Sequence, residues 1–166
     1  MQGNSSIYCS VPQNCQNAFG RCDSDAIPLG GNTSTDARPL VGDVSYDKRI
    51  EHCLRKRTIA LTFDDGPGEK TGDLLDLLHH YKAKATFFIG GNNNGKGEID
   101  TTKDWFKIIR RMVAEGHQVA SHTFNHVQLS KIPSELRKIE MLKNERAFAN
   151  IIGKSGTLRL FLSIKS

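Results

Sequence analysis

The chain has 166 residues, a formal net charge of +5 and a hydrophobic content of 37%, enough for one globular domain with a core. No long apolar run occurs, so the sequence predicts no membrane span, and the polar start MQGNSSIYCS lacks the apolar stretch of a secretory signal. The charge excess lies in residues 131–166, which hold eight Lys and Arg against three Glu. Two Glu–Lys pairs there have the spacing of solvated helical ion pairs, Glu135 with Lys138 and Glu140 with Lys143, so we expect no nucleic-acid partner.

The amino-terminal segment is rich in cysteine. Three of the four cysteines fall within residues 1–22, at Cys9, Cys15 and Cys22, and Cys53 stands alone. Their density predicts an oxidising compartment, and the absence of a Cys-x-x-Cys pair argues against a structural zinc site. Residues 23–57 are rich in Gly, Pro, Asp, Ser and Thr without sustained periodicity, which predicts a linker.

Strands and helices alternate from Thr58 onward. Alternating apolar residues at 59, 61 and 63 predict a buried first strand, KATFFIG (84–90) a second and HQVASHT (117–123) a third. TLRLFLSI (157–164) is a candidate fourth strand. This pattern predicts an α/β fold with a parallel sheet, either open or closed into a barrel.

Three helices separate the predicted strands. Thr71 is expected to cap a helix with an apolar face of Leu74, Leu75, Leu78 and Tyr81. Thr101 or Thr102 should cap a second helix, which ends at Gly116. Its apolar face comprises Trp105, Ile108, Ile109, Met112 and Val113. Pro133 and Ser134 open a long third helix that Gly153 ends.

Polar side chains follow two of the predicted strands. Asp64 and Asp65 end the first strand, and the Gly66-Pro67 turn behind them breaks the strand so that two neighbours can serve one site. After the third strand, His122 and His126 stand four apart, which on a helical turn would place two imidazoles on one face. One carboxylate and two histidines form a plausible catalytic zinc shell, and the other carboxylate could act as general base. On spacing alone, a polar turn and an exposed histidine pair stay open as alternatives.

These motifs resemble those of the polysaccharide deacetylases of the NodB homology class, carbohydrate esterases that remove acetyl groups from chitin, peptidoglycan or xylan. TFDDGP (62–67) and HTFNH (122–126) match two of their motifs, and KATFFIGGNN, AEGHQVASHT and NIIGK follow in the order of the family. The resemblance spans about residues 58–154. It implies a partial (β/α) barrel, incomplete at the C-terminus.

The resemblance also implies roles for four residues and a substrate. Asp64 would be the catalytic base, and Asp65, His122 and His126 would bind zinc or another divalent metal such as cobalt. Water would then hydrolyse the acetamide of chitin or a chitin oligosaccharide to acetate and a free amine. The segment YCSVPQNCQNAFGRC (8–22) is similar to the end of a fungal hevein-type chitin-binding module, which favours chitin as substrate.

The expected domain organisation follows from these matches. Residues 1–22 would be a remnant of a chitin-binding module, 23–57 a linker and 58–166 the N-terminal part of a deacetylase domain. The full-length parent is expected to be secreted or in the cell wall, although this chain shows no signal peptide.

The sequence departs from the family after NIIGK. SGTLRLFLSIKS stands where Arg-Pro-Pro-aromatic-Gly, Asp-Trp and Leu-His motifs are expected, and the arginine's role is not carried over to Arg159. We interpret the chain as truncated at both ends and as weakly active or inactive. Alternatives stay open: a non-catalytic zinc- or carbohydrate-binding fragment, or a deacetylase of peptidoglycan or xylan. A nucleotide-binding loop at GGNNNGKG (90–97) is disfavoured because Gly97 replaces the required Ser or Thr.

Overall fold

The computed structural model describes residues 27–35, 53 and 56–153. In chain order the elements are β1 (Thr62–Gly66), α1 (Thr71–His80), β2 (Thr86–Ile89), a 3-10 turn (Asn93–Gly95), α2 (Lys103–Ala114), β3 (Gln118–Ser121), a second 3-10 turn (Leu129–Lys131) and α3 (Ser134–Ile152). The predicted alternation of strands and helices is confirmed in this part of the chain. Of its helices, none has both the length and the apolar character needed to cross a bilayer.

The strands form one parallel sheet in the order β1-β2-β3. Phe63 of β1 is level with Phe87 of β2, which is level with Val119 of β3. Parallel neighbours require crossover connections, which α1 and α2 provide. The carboxyl ends of the strands therefore lie along one edge, where functional groups collect in parallel α/β folds. The predicted α/β class is confirmed, while the candidate strand at 157–164 lies outside the described residues.

The first strand is shorter and less buried than predicted. It begins at Thr62, and the two preceding apolar residues are exposed, Ile59 by 86% and Leu61 by 40%. Among the described residues, β2 is the only strand beside β1, so β1 forms an edge of the sheet. The alternating pattern identified the strand correctly but overestimated its length, because burial depends on what packs against it.

The core lies between the sheet and the three helices. Its members include Leu75 and Leu78 of α1, Ile109 and Met112 of α2, Phe87 and Ile89 of β2, Val119 of β3, and Phe148 and Ile151 of α3. The predicted apolar faces are thus confirmed at their centres. Tyr81, expected on the face of α1, is 70% exposed. Because Tyr81 follows His80, the last residue of α1, its side chain does not belong to the apolar face of the helix.

The helix ends differ from the predictions at their caps. Instead of capping α1, the hydroxyl of Thr71 accepts a hydrogen bond from the N–H of Gly68 at 2.8 Å. Thr102 holds the cap position of α2, but its side chain makes no capping hydrogen bond. Gly116 ends α2 as predicted: it adopts φ 76°, and the following N–H of His117 bonds back to the Met112 carbonyl at 2.9 Å.

The described residues of the predicted linker contact the globular part. The N–H of Leu29 donates to Asp100 at 3.0 Å, and Arg146 of α3 donates to the Gly30 carbonyl at 3.0 Å. The hydroxyl of buried Thr33 donates to Glu145 of α3 at 2.7 Å. Residues 27–33 are therefore held against α3. The domain boundaries at 22 and 57 stay predictions, and residues 1–26, with three of the cysteines, lie outside the described part.

Candidate metal centre

Asp65 reaches the sheet edge through an irregularity in β1. The register between β1 and β2 shifts between Asp64 and Gly66, so Asp65 is an extra residue in the ladder. Its φ is 63°, in the left-handed region. A bulge of this kind redirects a side chain out of the regular alternation. The break that lets both aspartates serve one site thus lies at Asp65 itself, one residue before the Gly66-Pro67 turn that was predicted to supply it.

The two histidines lie in a loop after β3, and the predicted helical turn is wrong. Residues 122–126 are neither helix nor strand: the chain bends at Phe124 and Asn125, and the flanking Thr123 and His126 have φ values of 67° and 56°. The bend nevertheless brings the rings together, with centroids 4.9 Å apart. A spacing of four residues was therefore sufficient for proximity, but through left-handed backbone conformations rather than through helical periodicity.

Three donor atoms converge at this edge. Asp65 Oδ1 lies 3.1 Å from His122 Nε2 and 2.9 Å from His126 Nε2, and the two Nε2 atoms are 3.1 Å apart. Asp65 Oδ1 is buried, and both histidine Nε2 atoms lie against it. In the described part of the chain, these residues form the only group of three or more His, Cys, Asp or Glu side chains arranged to hold a metal ion.

Electrostatics at the site favour neutral His122. Burial lowers the pKa of His122, the nearby His126 lowers it further, and the charges of Asp65 and Asp64 partly oppose both effects. A neutral imidazole has a free lone pair, the form that binds metals. Asp64 itself is solvent-exposed on β1. The structure therefore brings Asp65, His122 and His126 into mutual contact and leaves Asp64 beside them.

The donor set fits a divalent cation. Zinc binds nitrogen and oxygen at about 2.0–2.1 Å, which places tetrahedral ligands about 3.3 Å from one another. The donor separations of 2.9–3.1 Å are close to that value.

Two polar residues of α3 that hold the site together were missed in the sequence. Asn144, fully buried, donates to the Ile89 carbonyl and to the Ser121 hydroxyl, both at 2.8 Å, and so joins the ends of β2 and β3. Glu140 is buried and accepts two hydrogen bonds from Asn125 of the histidine loop. The prediction of Glu140 as a solvated ion-pair residue is therefore wrong.

Comparison with known proteins identifies the family of the chain. The family model for polysaccharide deacetylase matches residues 51–162, more than half of the sequence. The chain belongs to the polysaccharide deacetylase family. This confirms the resemblance drawn from the two motifs, both of which lie inside the matched range.

Individual relatives agree with the family assignment. A chitin deacetylase from Pestalotiopsis sp is 37% identical over 132 residues, covering 80% of this chain and 43% of the relative. A peptidoglycan-N-acetylglucosamine deacetylase from Bacillus cereus is 40% identical over 106 residues, covering 63% of this chain and 36% of the relative. The chain thus spans less than half the length of these relatives.

A solved structure supports the fold. The chitin deacetylase from the fungal pathogen Colletotrichum lindemuthianum has a TM-score of 0.54 and 34% identity, over 62% of this chain and 53% of that one. The structural similarity to this deacetylase therefore extends over 62% of the chain.

Proposed function

We propose that Asp65, His122 and His126 bind a divalent metal ion, with zinc as the first candidate and cobalt as an alternative. The observation that carries the proposal is the convergence of Asp65 Oδ1 and the two histidine Nε2 atoms within 3.1 Å of one another. Two nitrogens and one oxygen are a common protein set for catalytic zinc, with a further position left for water or substrate. A bound ion would supply Lewis-acid activation of water and of a carbonyl oxygen.

Asp64 is proposed as the general base. It directly precedes a proposed ligand, it is exposed to solvent, and its charge acts on His122. A general base must lie near the attacking water and must not itself bind the metal. Neighbouring side chains of a regular strand point to opposite faces, so the bulge at Asp65 allows both carboxylates to serve one site, one as a metal ligand and the other as a base.

The proposed reaction is hydrolysis of N-acetyl groups on chitin or related N-acetylglucosamine polymers, giving acetate and an amine. Support comes from the names of the relatives, which are deacetylases of chitin and of peptidoglycan N-acetylglucosamine. Both substrates contain the same acetamido sugar. The proposed preference for chitin, and the proposed secreted or cell-wall location, rest on sequence resemblance in residues outside the described part.

Two measurements on the purified chain test this function: zinc content with affinity, and acetate release from chitin oligosaccharides. We expect one zinc per chain, and roughly hundred-fold weaker binding in Asp65→Asn because the anionic carboxylate becomes a neutral amide, a poorer metal ligand. Asp64→Asn should keep its zinc and lose zinc-dependent acetate release. Asp73→Asn makes the same change at an exposed aspartate of α1 and should match the wild type.

The outcomes separate the claims. A folded chain that binds no zinc contradicts the metal site. Zinc binding without acetate release retains the metal site and favours the alternative function, a non-catalytic metal-binding chain. Acetate release that persists in Asp64→Asn contradicts the proposed base.

A further inference from the structure

The histidine loop adopts a backbone conformation that needs external support. Thr123 and His126 both have positive φ, at 67° and 56°. This region is sterically unfavourable for residues other than glycine, and especially for a β-branched residue such as Thr. Such conformations persist only where surrounding contacts determine them. The contacts that fix this loop therefore also fix the direction in which His126 points.

One side of the loop is held by backbone hydrogen bonds from the segment after β2. The N–H of Gly91 donates to the Thr123 carbonyl at 3.1 Å, and the N–H of Asn92 donates to the Phe124 carbonyl at 2.7 Å. These bonds fix the first half of the loop. The second bond is made to Phe124, so neither of them reaches Asn125, which directly precedes His126.

The second half of the loop is held mainly by the side chain of Glu140 in α3, with a longer hydrogen bond of 3.5 Å from Asn92 Nδ2 to Asn125 Oδ1. Glu140 Oε2 accepts the backbone N–H of Asn125 at 2.7 Å, and Glu140 Oε1 accepts Asn125 Nδ2 at 2.8 Å. Both residues are buried, with exposures of 7% and 2%. Hydrogen bonds to an ionised carboxylate are stronger than those between neutral groups, and two of them to one residue leave it little rotational freedom.

We propose that Glu140 is a positioning residue for the metal centre. It is absent from the group of converging donors, and it acts through Asn125 to fix the backbone from which His126 reaches Asp65. The inference rests on the proposed metal binding. Residues that orient ligands from the next layer typically alter metal affinity by about 10–100-fold when removed.

The test compares zinc affinities, by competition with a chelator, in the full chain and four variants. Glu140→Gln keeps the size of the side chain but replaces one acceptor with an NH₂ that opposes an Asn125 donor. We expect roughly ten-fold or greater loss of zinc affinity. Asn125→Ala keeps the backbone bond and should lose less. The double variant should bind no more weakly than Glu140→Gln, because the two residues act through one contact.

The matched control is Glu135→Gln, the same change at an exposed glutamate in the first turn of the same helix. It should bind zinc as the wild type does. The visible absorption spectrum of the cobalt-loaded chain supplies a readout of ligand geometry. It should change in Glu140→Gln and stay unchanged in Glu135→Gln, whereas a purely structural role would alter the melting temperature alone.

Three outcomes would overturn the proposal. If Glu140→Gln binds zinc within two-fold of the wild type, the positioning role fails while the metal site stands. If Glu140→Gln does not fold and Asn125→Ala binds zinc normally, the contact is structural only. If the folded wild type binds no zinc, the proposed function and this inference fail together.

Discussion

Replacing Asn144 with alanine should destabilise the chain by about 2 kcal/mol. The substitution removes two hydrogen bonds of 2.8 Å, to the Ile89 carbonyl and to the Ser121 hydroxyl. Each contributes about 1 kcal/mol net, and the small cavity left at a fully buried position adds to the loss. Alanine recovers about 0.6 kcal/mol through its higher helix propensity. The Ile89 carbonyl keeps the N–H of His122 as a donor, which limits the penalty.

Urea unfolding monitored by circular dichroism measures this loss, which corresponds to a fall in melting temperature of roughly 10 °C for a domain of this size. Asn150→Ala is the matched control. It makes the same change in the same helix, with the same propensity gain, and removes only one partly buried hydrogen bond of 3.3 Å to the Asp100 carbonyl. We expect its free energy of unfolding to stay near the wild-type value. Equal losses in the two variants would refute the role assigned to Asn144.

Three further predictions concern stability. Burial, assisted by Lys84, lowers the pKa of His117 below its ordinary 6.5, so unfolding takes up a proton and the free energy of unfolding should fall as pH drops below about 7. His117→Asn keeps an acceptor for the Ala85 N–H, and an unchanged pH profile in urea titrations would contradict this assignment. Gly30→Ala should cost about 1–3 kcal/mol, because its Cβ would collide with the Arg146 carbonyl, whereas exposed Gly31→Ala should be nearly neutral. Adding zinc at about 100 times its dissociation constant should stabilise the folded chain by about 2.7 kcal/mol, reversed by a chelator; an unchanged melting temperature would argue against binding to the folded state.

Periodicity predicted the helices and strands of the described region well, since apolar spacing follows directly from the geometry of each element. It overestimated β1 because the exposure of Ile59 and Leu61 depends on what lies beside the strand. It also missed the bulge at Asp65 and the left-handed conformations at Thr123 and His126. These are local departures from regular backbone geometry, and the spacing of apolar residues does not predict them.

The converging donors were predicted from residue types and family motifs, while their supports were not. A signal for the supports was present in α3. Five of its six buried residues, at 140, 144, 147, 148 and 151, follow one helical stripe, and the first two are Glu and Asn. Polar residues in line with an apolar stripe indicate buried hydrogen-bonding groups. The three-residue separation of Glu140 and Lys143 predicted a solvated ion pair instead, because sequence spacing does not show whether a side chain points to solvent or to the core.

The position of α3 in the chain sets the shortest segment that could carry this metal centre to another protein scaffold. Asp65, His122 and His126 all precede residue 127, but Glu140 and Asn144 come later. A peptide cut after Lys131 would keep every donor atom and lose both buried supports. Grafting the centre onto another scaffold would therefore require the helix as well as the two motifs, and a search for similar centres by motif alone would also collect sequences in which the histidine loop has nothing to hold it.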